Sequence, residues 1–413
     1  MEVIKGDYVI IGVNDSEKAE EIWMQRGTFQ LMKTVNKSIV LNKIRTSQSI
    51  SRAQIAKETK LTPPTVGSIV KELIQEGIVK ESKIGESSGG RKPTMLQINS
   101  SGFYVIGVDA GPETVKCMLT DLSGKIILRN SQVLDQPMTN EKFLSLLIES
   151  IQDIITSSEN LKGEIIGIGV AMHGMVEVES GTSLFAPNLQ LTNIPIKQTL
   201  EETFQLEVKV ENDARAMALG ESWFGGHNDV NSLIVVNIGS GVGAGTVMNG
   251  KLYHGAQDIA GEFGHMTIDL HGKVCECGNR GCIQTLVSGE AIAERARDKF
   301  QLDRSISAKE IYEQAKSGNE KYIQFLYHVG EIIGIGLTNI IHLINPERIV
   351  LGGGVMKSAE LIYPSICNTI EQRVLTQKAK NTNVMVSKLG DDATLLGAVS
   401  LLLVDLFALE SNV

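Results

Sequence analysis

Four apolar runs constrain this chain more than anything else in it: Tyr104 to Asp109, Ile165 to Val170, Leu233 to Ile238, and Arg348 to Leu351. They are short and rich in Val and Ile, as strands buried on both faces are. Stretches of helical period separate them, among them Lys142 to Ile155 and Tyr322 to Leu343. Strands alternating with helices predict an α/β fold with mostly buried strands. Glycine corners recur after strands, at Gly111, along Gly239-Ser240-Gly241-Val242-Gly243-Ala244-Gly245, and at Gly352-Gly353-Gly354. Such loops let backbone N–H groups approach a ligand, often a phosphate, although any one of them can simply be a turn. Their recurrence predicts two lobes closing on a ligand.

The charge divides the chain a second way. Residues 24–92 hold thirteen Lys and Arg against five Asp and Glu, a net +8, which leaves −17 for the rest of a chain whose total is −9. Taken whole, −9 argues against a nucleic-acid partner. Taken in parts, it predicts a DNA-binding module joined to an acidic domain, with a merely solvated lysine-rich face as the alternative.

The pattern inside the basic segment favours the first reading. Leu31, Val35, Ile39, Val40 and Ile44 fall at helical spacing between Gln30 and Ile44. Ser51 can cap a second helix carrying Ala53, Ile55 and Ala56, and Thr62 a third, with Pro63 and Pro64 in its first turn. The third helix would bury Val66, Ile69, Val70, Leu73 and Ile74, end at Gly77, and lead into an extended stretch at Ile78-Val79. Three helices and a wing describe a winged helix-turn-helix over residues 28–84, a plain helical bundle being the alternative. Thr65, Ser68 and Lys71 on the third helix suit base-edge and phosphate contacts. Thr62, Arg52, and Lys80 and Lys83 of the wing complete the expected DNA face. Residues 85–102 read as a linker, whose Arg91 and Lys92 can enter a minor groove or touch phosphates. Residues 1–27 form an extension of unclear role, with a possible strand at Tyr8 to Val13 and a short helix at Ser16 to Trp23.

Three of the five cysteines cluster after a histidine, in Gly261-Glu262-Phe263-Gly264-His265 followed by Cys275-Glu276-Cys277 and Cys282. His265, Cys275, Cys277 and Cys282 suit one tetrahedral zinc per chain. With four protein ligands no position is left for activated water, so the site is structural. Free cysteines beside an unrelated histidine are the alternative. The clustering indicates a reducing compartment. With no stretch resembling a signal peptide or a membrane span, a cytoplasmic protein is expected. Glu211-Asn212-Asp213 follows a strand-like run and precedes a helix. These side chains can either hold a substrate hydroxyl or cap the helix.

At these motifs, and at Leu351-Gly-Gly-Gly-Val355, the chain resembles the ROK family, which groups bacterial sugar-responsive repressors with sugar kinases. The resemblance covers about residues 28–405, and Asn36 to Glu81 is most similar to the xylose repressors of Gram-positive bacteria. It implies two actin-like, ribonuclease-H-like lobes over residues 103–413, with sugar in the cleft. It further implies that Asn188, Asn212, Asp213, Glu262 and His265 contact sugar hydroxyls, Asp213 being the base in kinase members. Gln284, also expected at the sugar, stands where the family usually has Glu and keeps an acceptor without the charge, while Ser288 matches. Kinase members carry Asp-x-Gly-Gly-Thr for ATP phosphate. Here the run is Asp109-Ala110-Gly111-Pro112-Glu113-Thr114, with Glu113 at the Thr position. A carboxylate beside would-be phosphates opposes ATP binding, so no catalytic residue is expected. The expected protein is a repressor of operator DNA, a homodimer or higher homo-oligomer, released by a sugar, D-xylose. A sugar kinase with an added regulatory DNA-binding module is the alternative.

Overall fold

The computed structural model describes residues 17–84, 93–227 and 229–407. They form two compact units, one of residues up to 99 with those from 404 onward, the other of residues 100–403.

The first unit contains α1 (Glu17–Ser47), α2 (Arg52–Thr59) and α3 (Pro63–Gln75). An antiparallel sheet accompanies them in the order β1 (Ile50–Ser51), β3 (Thr94–Ile98), β2 (Val79–Ile84). Both predicted caps form: Ser51 Oγ accepts from the Gln54 amide at 3.2 Å and Thr62 Oγ1 from the Thr65 amide at 3.4 Å. The chain turns between α2 and α3 at Lys60, whose φ is 61°. Val66, Ile69, Val70 and Leu73 of α3 are buried, as are Val40, Leu41 and Ile44 of α1, Ile55 of α2 and Leu96 of β3. The last turn of α12 (Ala393–Phe407) also belongs here. Phe407 is buried, and its carbonyl accepts from Ser38 Oγ at 2.7 Å and Asn42 Nδ2 at 2.8 Å.

Two expectations change. The two N-terminal helices expected at Ser16 to Trp23 and Gln30 to Ile44 are one continuous α1, because the residues between them hold no proline and one glycine, Gly27, which costs about 1 kcal/mol. Thr94–Ile98, expected within the linker, instead forms the central strand of the winged sheet. Tyr8 to Val13, Arg91 and Lys92 lie outside the described residues.

The second unit holds two five-stranded sheets of matching design. The first runs β11 (Glu207–Asn212), β7 (Glu164–Met172), β4 (Phe103–Ala110), β5 (Thr114–Asp121), β6 (Ile126–Val133). The second runs β16 (Asn383–Val386), β15 (Arg348–Gly352), β12 (Ser232–Ile238), β13 (Val242–Met248), β14 (Lys251–Leu252). In each, the first strand in sequence is central. An antiparallel hairpin continues on one side and two parallel strands lie on the other. This repeat is the paired ribonuclease-H-like arrangement of an actin-like fold. All four apolar runs lie in its strands.

A small antiparallel sheet of β8 (Met175–Glu177), β9 (Thr182–Ala186) and β10 (Leu191–Ile194) accompanies the first lobe. That lobe's core joins its sheet to α4 (Asn140–Ser157) and α5 (Ile196–Phe204) through Phe143, Leu147, Ile151 and Leu200. The second lobe's core joins its sheet to α8 (Gly289–Phe300), α9 (Ala308–Lys316), α10 (Glu320–Ile344) and α11 (Ala359–Arg373). By length and composition α10 is apolar enough to cross a bilayer. It instead buries Phe325, Val329, Ile333 and Leu337 in this core. Within this unit α12 packs directly on the first sheet and on α6 (Asp213–Phe224): a Cβ on Gly169 would collide with the Ala398 carbonyl, and one on Gly397 with the Ala216 carbonyl.

Candidate functional site

A cleft of about 1040 Å³ opens in the second unit. Asp109, Gly111, Glu113, His173 and Asn188 line it from the first lobe. Gly239, Gly241, Glu262, His265, Gln284 and Gly353 line it from the second, and Asp213 stands at the start of α6 between them. The cleft therefore gathers every residue assigned to a sugar by resemblance, together with the glycine loops.

Asn212 caps α6. Its Oδ1 accepts from the amides of Ala214 at 3.0 Å and Arg215 at 3.1 Å, and its Nδ2 donates to the Gly174 carbonyl and to Asp213 Oδ1, each at 3.0 Å. Both ends of this amide are occupied, so the helix-cap alternative describes Asn212 and its direct effect falls on Asp213. Asp213 Oδ2 also accepts from Asn237 Nδ2 at 3.4 Å. Burial pushes its carboxyl up to about 6, with the Glu262 charge adding to the rise. Asp109 is likewise pushed up to about 6 by burial, against the opposing charge of Lys116, whose Nζ stands 3.6 Å away. Two carboxyls that hold protons well above the ordinary Asp range suit the binding of hydroxyls, because each form offers a different hydrogen bond.

Glu211 takes no place on the cleft wall. It is 1% exposed and accepts from the Asn212 amide at 2.6 Å, Arg215 Nε at 2.6 Å and His254 Nε2 at 2.7 Å. Burial alone would raise its pKa, but His254 and Arg215 hold it below the ordinary Glu value. Arg215 Nη1 continues to the Asp258 carbonyl at 2.5 Å. This network ties the start of α6 to residues 254–258, just before Gly261-Glu262. Gln284 is also committed: its Oε1 accepts from the Val242 amide at 3.1 Å, joining α7 (Gln284–Val287) to the glycine loop.

His265, Cys275, Cys277 and Cys282 bring one donor atom each within 4.8 Å of one another. The Cys277 and Cys282 sulfurs are 3.7 Å apart, and Cys275 Sγ is 3.6 Å from His265 Nδ1. A zinc tetrahedron with bonds near 2.3 Å to sulfur and 2.0 Å to nitrogen has edges of about 3.5–3.8 Å. The four residues therefore fit this ion. Ligation through Nδ1 leaves His265 Nε2 toward Glu262, whose Oε2 is 3.8 Å away.

Four contributors escaped the sequence reading. Arg215 and His254 build the Glu211 network, Lys116 pairs with Asp109, and His173 is buried beside the cleft. His173 Nδ1 is 2.9 Å from the Ala110 carbonyl and so carries the proton. Its Nε2 is buried with no protein partner, and burial lowers its pKa, so the ring is neutral. Only Arg215 had a local signal, the i, i+4 spacing from Glu211.

In the first unit, Ser68 and Lys71 of α3 are exposed and Thr65 is half-buried. Thr62 Oγ1 lies 2.8 Å from Thr65 Oγ1, so the cap also orients that hydroxyl. Arg52 is paired with Glu81 at 2.8 Å, while Lys80 projects from β2 and Lys83 belongs to the same strand.

Comparison with known proteins agrees with both units. The ROK family pattern matches residues 105–404, and a winged helix-turn-helix DNA-binding pattern matches residues 41–80. The chain is 34% identical over 394 residues to the xylose repressor of Caldicellulosiruptor bescii, covering 92% of this chain and 98% of that one. It is 31% identical to the Escherichia coli transcriptional dual regulator NagC, covering 91% and 94%. A crystal structure of a ROK family transcriptional regulator, a homologue of Escherichia coli Mlc, superposes with a TM-score of 0.79 at 28% identity, covering 90% and 96%.

Proposed function

The chain belongs to the ROK family, and from that premise we propose that it is a transcriptional repressor that holds operator DNA through α3 and its wing and releases it when D-xylose enters the cleft. The observation that carries this reading is that one chain joins a capped α3 presenting Thr65, Ser68 and Lys71 to a cleft holding Asn188, Asp213, Glu262 and His265. It is a regulator rather than a kinase. Glu113 places a carboxylate where ATP phosphates would lie, in a cleft that already contains Asp109 and Asp213.

In this reading, Asn212 and Asn237 aim the Asp213 carboxyl at a sugar hydroxyl, Asn188 offers donor and acceptor from the opposite wall, and His265 Nε2 and Glu262 take further hydroxyls. Bound at His265, Cys275, Cys277 and Cys282, zinc supplies structural cross-linking: it fixes the loop that presents His265. The protein acts in the cytoplasm as a homodimer on a palindromic operator, each protomer reading one half-site. Sugar releases DNA only if it binds the DNA-free arrangement more tightly, by about 1–3 kcal/mol for a typical coupling.

Fluorescence anisotropy with duplexes from sugar-utilisation promoters tests this reading. A retained fragment released by xylose, and not by glucose or N-acetylglucosamine, is the expected result. Retention of no such fragment sinks the repressor reading, and release by another sugar alone sinks xylose.

A further inference from the structure

Gly67 is the fifth of the thirteen residues of α3, inside the helix, where glycine is the poorest helix former after proline. Five other glycines inside helices have an internal reason to be there. A Cβ on Gly220 would meet the Ala393 carbonyl, on Gly330 the Ser365 hydroxyl, on Gly334 Thr369, on Gly336 Phe263 and Ile283, and on Gly397 the Ala216 carbonyl. A Cβ on Gly67 would meet nothing within 4 Å. Its φ is not in the left-handed region, so no backbone demand explains it either. The head therefore carries a destabilising residue that its own packing does not require.

By helical spacing, half-buried Gly67 lies at the edge of the exposed face that carries Pro64, Ser68 and Lys71, with buried Val70 along its other side and Val66, Ile69 and Leu73 farther round. We infer that Gly67 is the point of closest approach between this chain and operator DNA, where the α3 backbone lies against base edges on the floor of the major groove. Residues near the start of a recognition helix reach base edges, whereas its flanks and neighbouring elements hold phosphates. The missing side chain sets how deeply the helix seats, and so how well Ser68 reaches the bases. Gly67 is thus a specificity-determining position through what it lacks. The inference rests on α3 being the helix that enters the groove.

The test uses the full-length protein and a duplex that it selects from a random pool. Gly67→Ala is expected to slow hydrogen exchange in α3 by about threefold to fivefold, because alanine is the better helix former. The same variant should lose at least tenfold in affinity for the selected duplex, and Gly67→Leu more. The slope of log affinity against log salt should not change, since no phosphate contact is lost, whereas Lys71→Ala should reduce it by about one. Operator affinity within twofold of the parent overturns the inference. So does faster exchange in α3, which would return the glycine to the head's own folding. A shallower salt slope for Gly67→Ala overturns the base-edge assignment in favour of a phosphate. If Thr65→Ala, Ser68→Ala and Lys71→Ala also leave affinity and slope unchanged, α3 is not the groove helix, and it is the reading beneath the inference that fails.

Discussion

The Glu211 carboxylate and the Arg215 guanidinium meet at 2.6 Å, one turn of helix apart in sequence and both almost wholly buried. Neither depends on the other alone, because His254 binds the second Glu211 oxygen and Arg215 also reaches the Asp258 carbonyl. The pair fastens residues 254–258, which lead into the Gly261-Glu262 strip of the cleft, to the first turn of α6. Breaking a buried ion pair from one side leaves an uncompensated charge, at a cost of about 3–5 kcal/mol.

Arg215→Met should therefore lower the stability of the second unit by several kcal/mol and weaken sugar binding at least tenfold where the protein still folds. His254→Ala removes only a hydrogen bond at the edge of the network, about 1–3 kcal/mol, and His254→Gln should recover part of the loss. Xylose titration by calorimetry, run beside thermal unfolding of each variant, checks the order. Equal sugar affinity in all three would remove this network from the sensing role.

Cys277→Ser should release zinc, because a serine oxygen replaces one of three thiolate donors. The loop holding His265 then loses its cross-link, and the variant should bind operator DNA yet respond weakly to sugar. Metal content by mass spectrometry, circular dichroism for retained fold, and the anisotropy assay with xylose check this together. A folded, metal-free variant with the full sugar response would show that the ion does not organise the cleft.

What the sequence revealed and what it hid follow one physical rule: local spacing was legible and distant pairing was not. The four buried strands showed as apolar runs, the His and Cys residues that come together as a cluster within eighteen residues, and the caps at Ser51 and Thr62 as residue types at fixed offsets. The Glu211–His254 contact joins residues 43 apart, and nothing near His254 marks it. Strand β3 was missed because Thr94–Ile98 is mostly half-buried, with Leu96 alone fully inside, so its pattern is weak beside the glycine-rich stretch before it. For Asn212 the residue type fitted both a cap and a sugar contact. Only the geometry shows all of its hydrogen-bonding capacity turned to the protein.

The raised carboxyl of Asp213 has a consequence for stability. A free Asp titrates near 4, whereas burial pushes Asp213 to about 6 in the folded protein. Between those values the folded chain keeps a proton that the unfolded chain has lost, so stability falls as pH rises through about 4 to 6 and stays at the lower level above it. A shift of two units corresponds to at most about 3 kcal/mol, reduced where water reaches the cleft. Asp213→Asn removes this penalty and keeps an oxygen for the Asn212 amide, so at pH 7.5 the variant should be more stable than the parent by about 1–2 kcal/mol. Its advantage should vanish near pH 4. The same substitution removes the carboxylate offered to sugar, so operator release by xylose should be lost. Denaturation at a series of pH values, compared as the difference between variant and parent, cancels effects common to both, including acid release of metal. A difference that does not change with pH would mean that Asp213 titrates alike in the folded and unfolded chain and that its environment does not hold the proton.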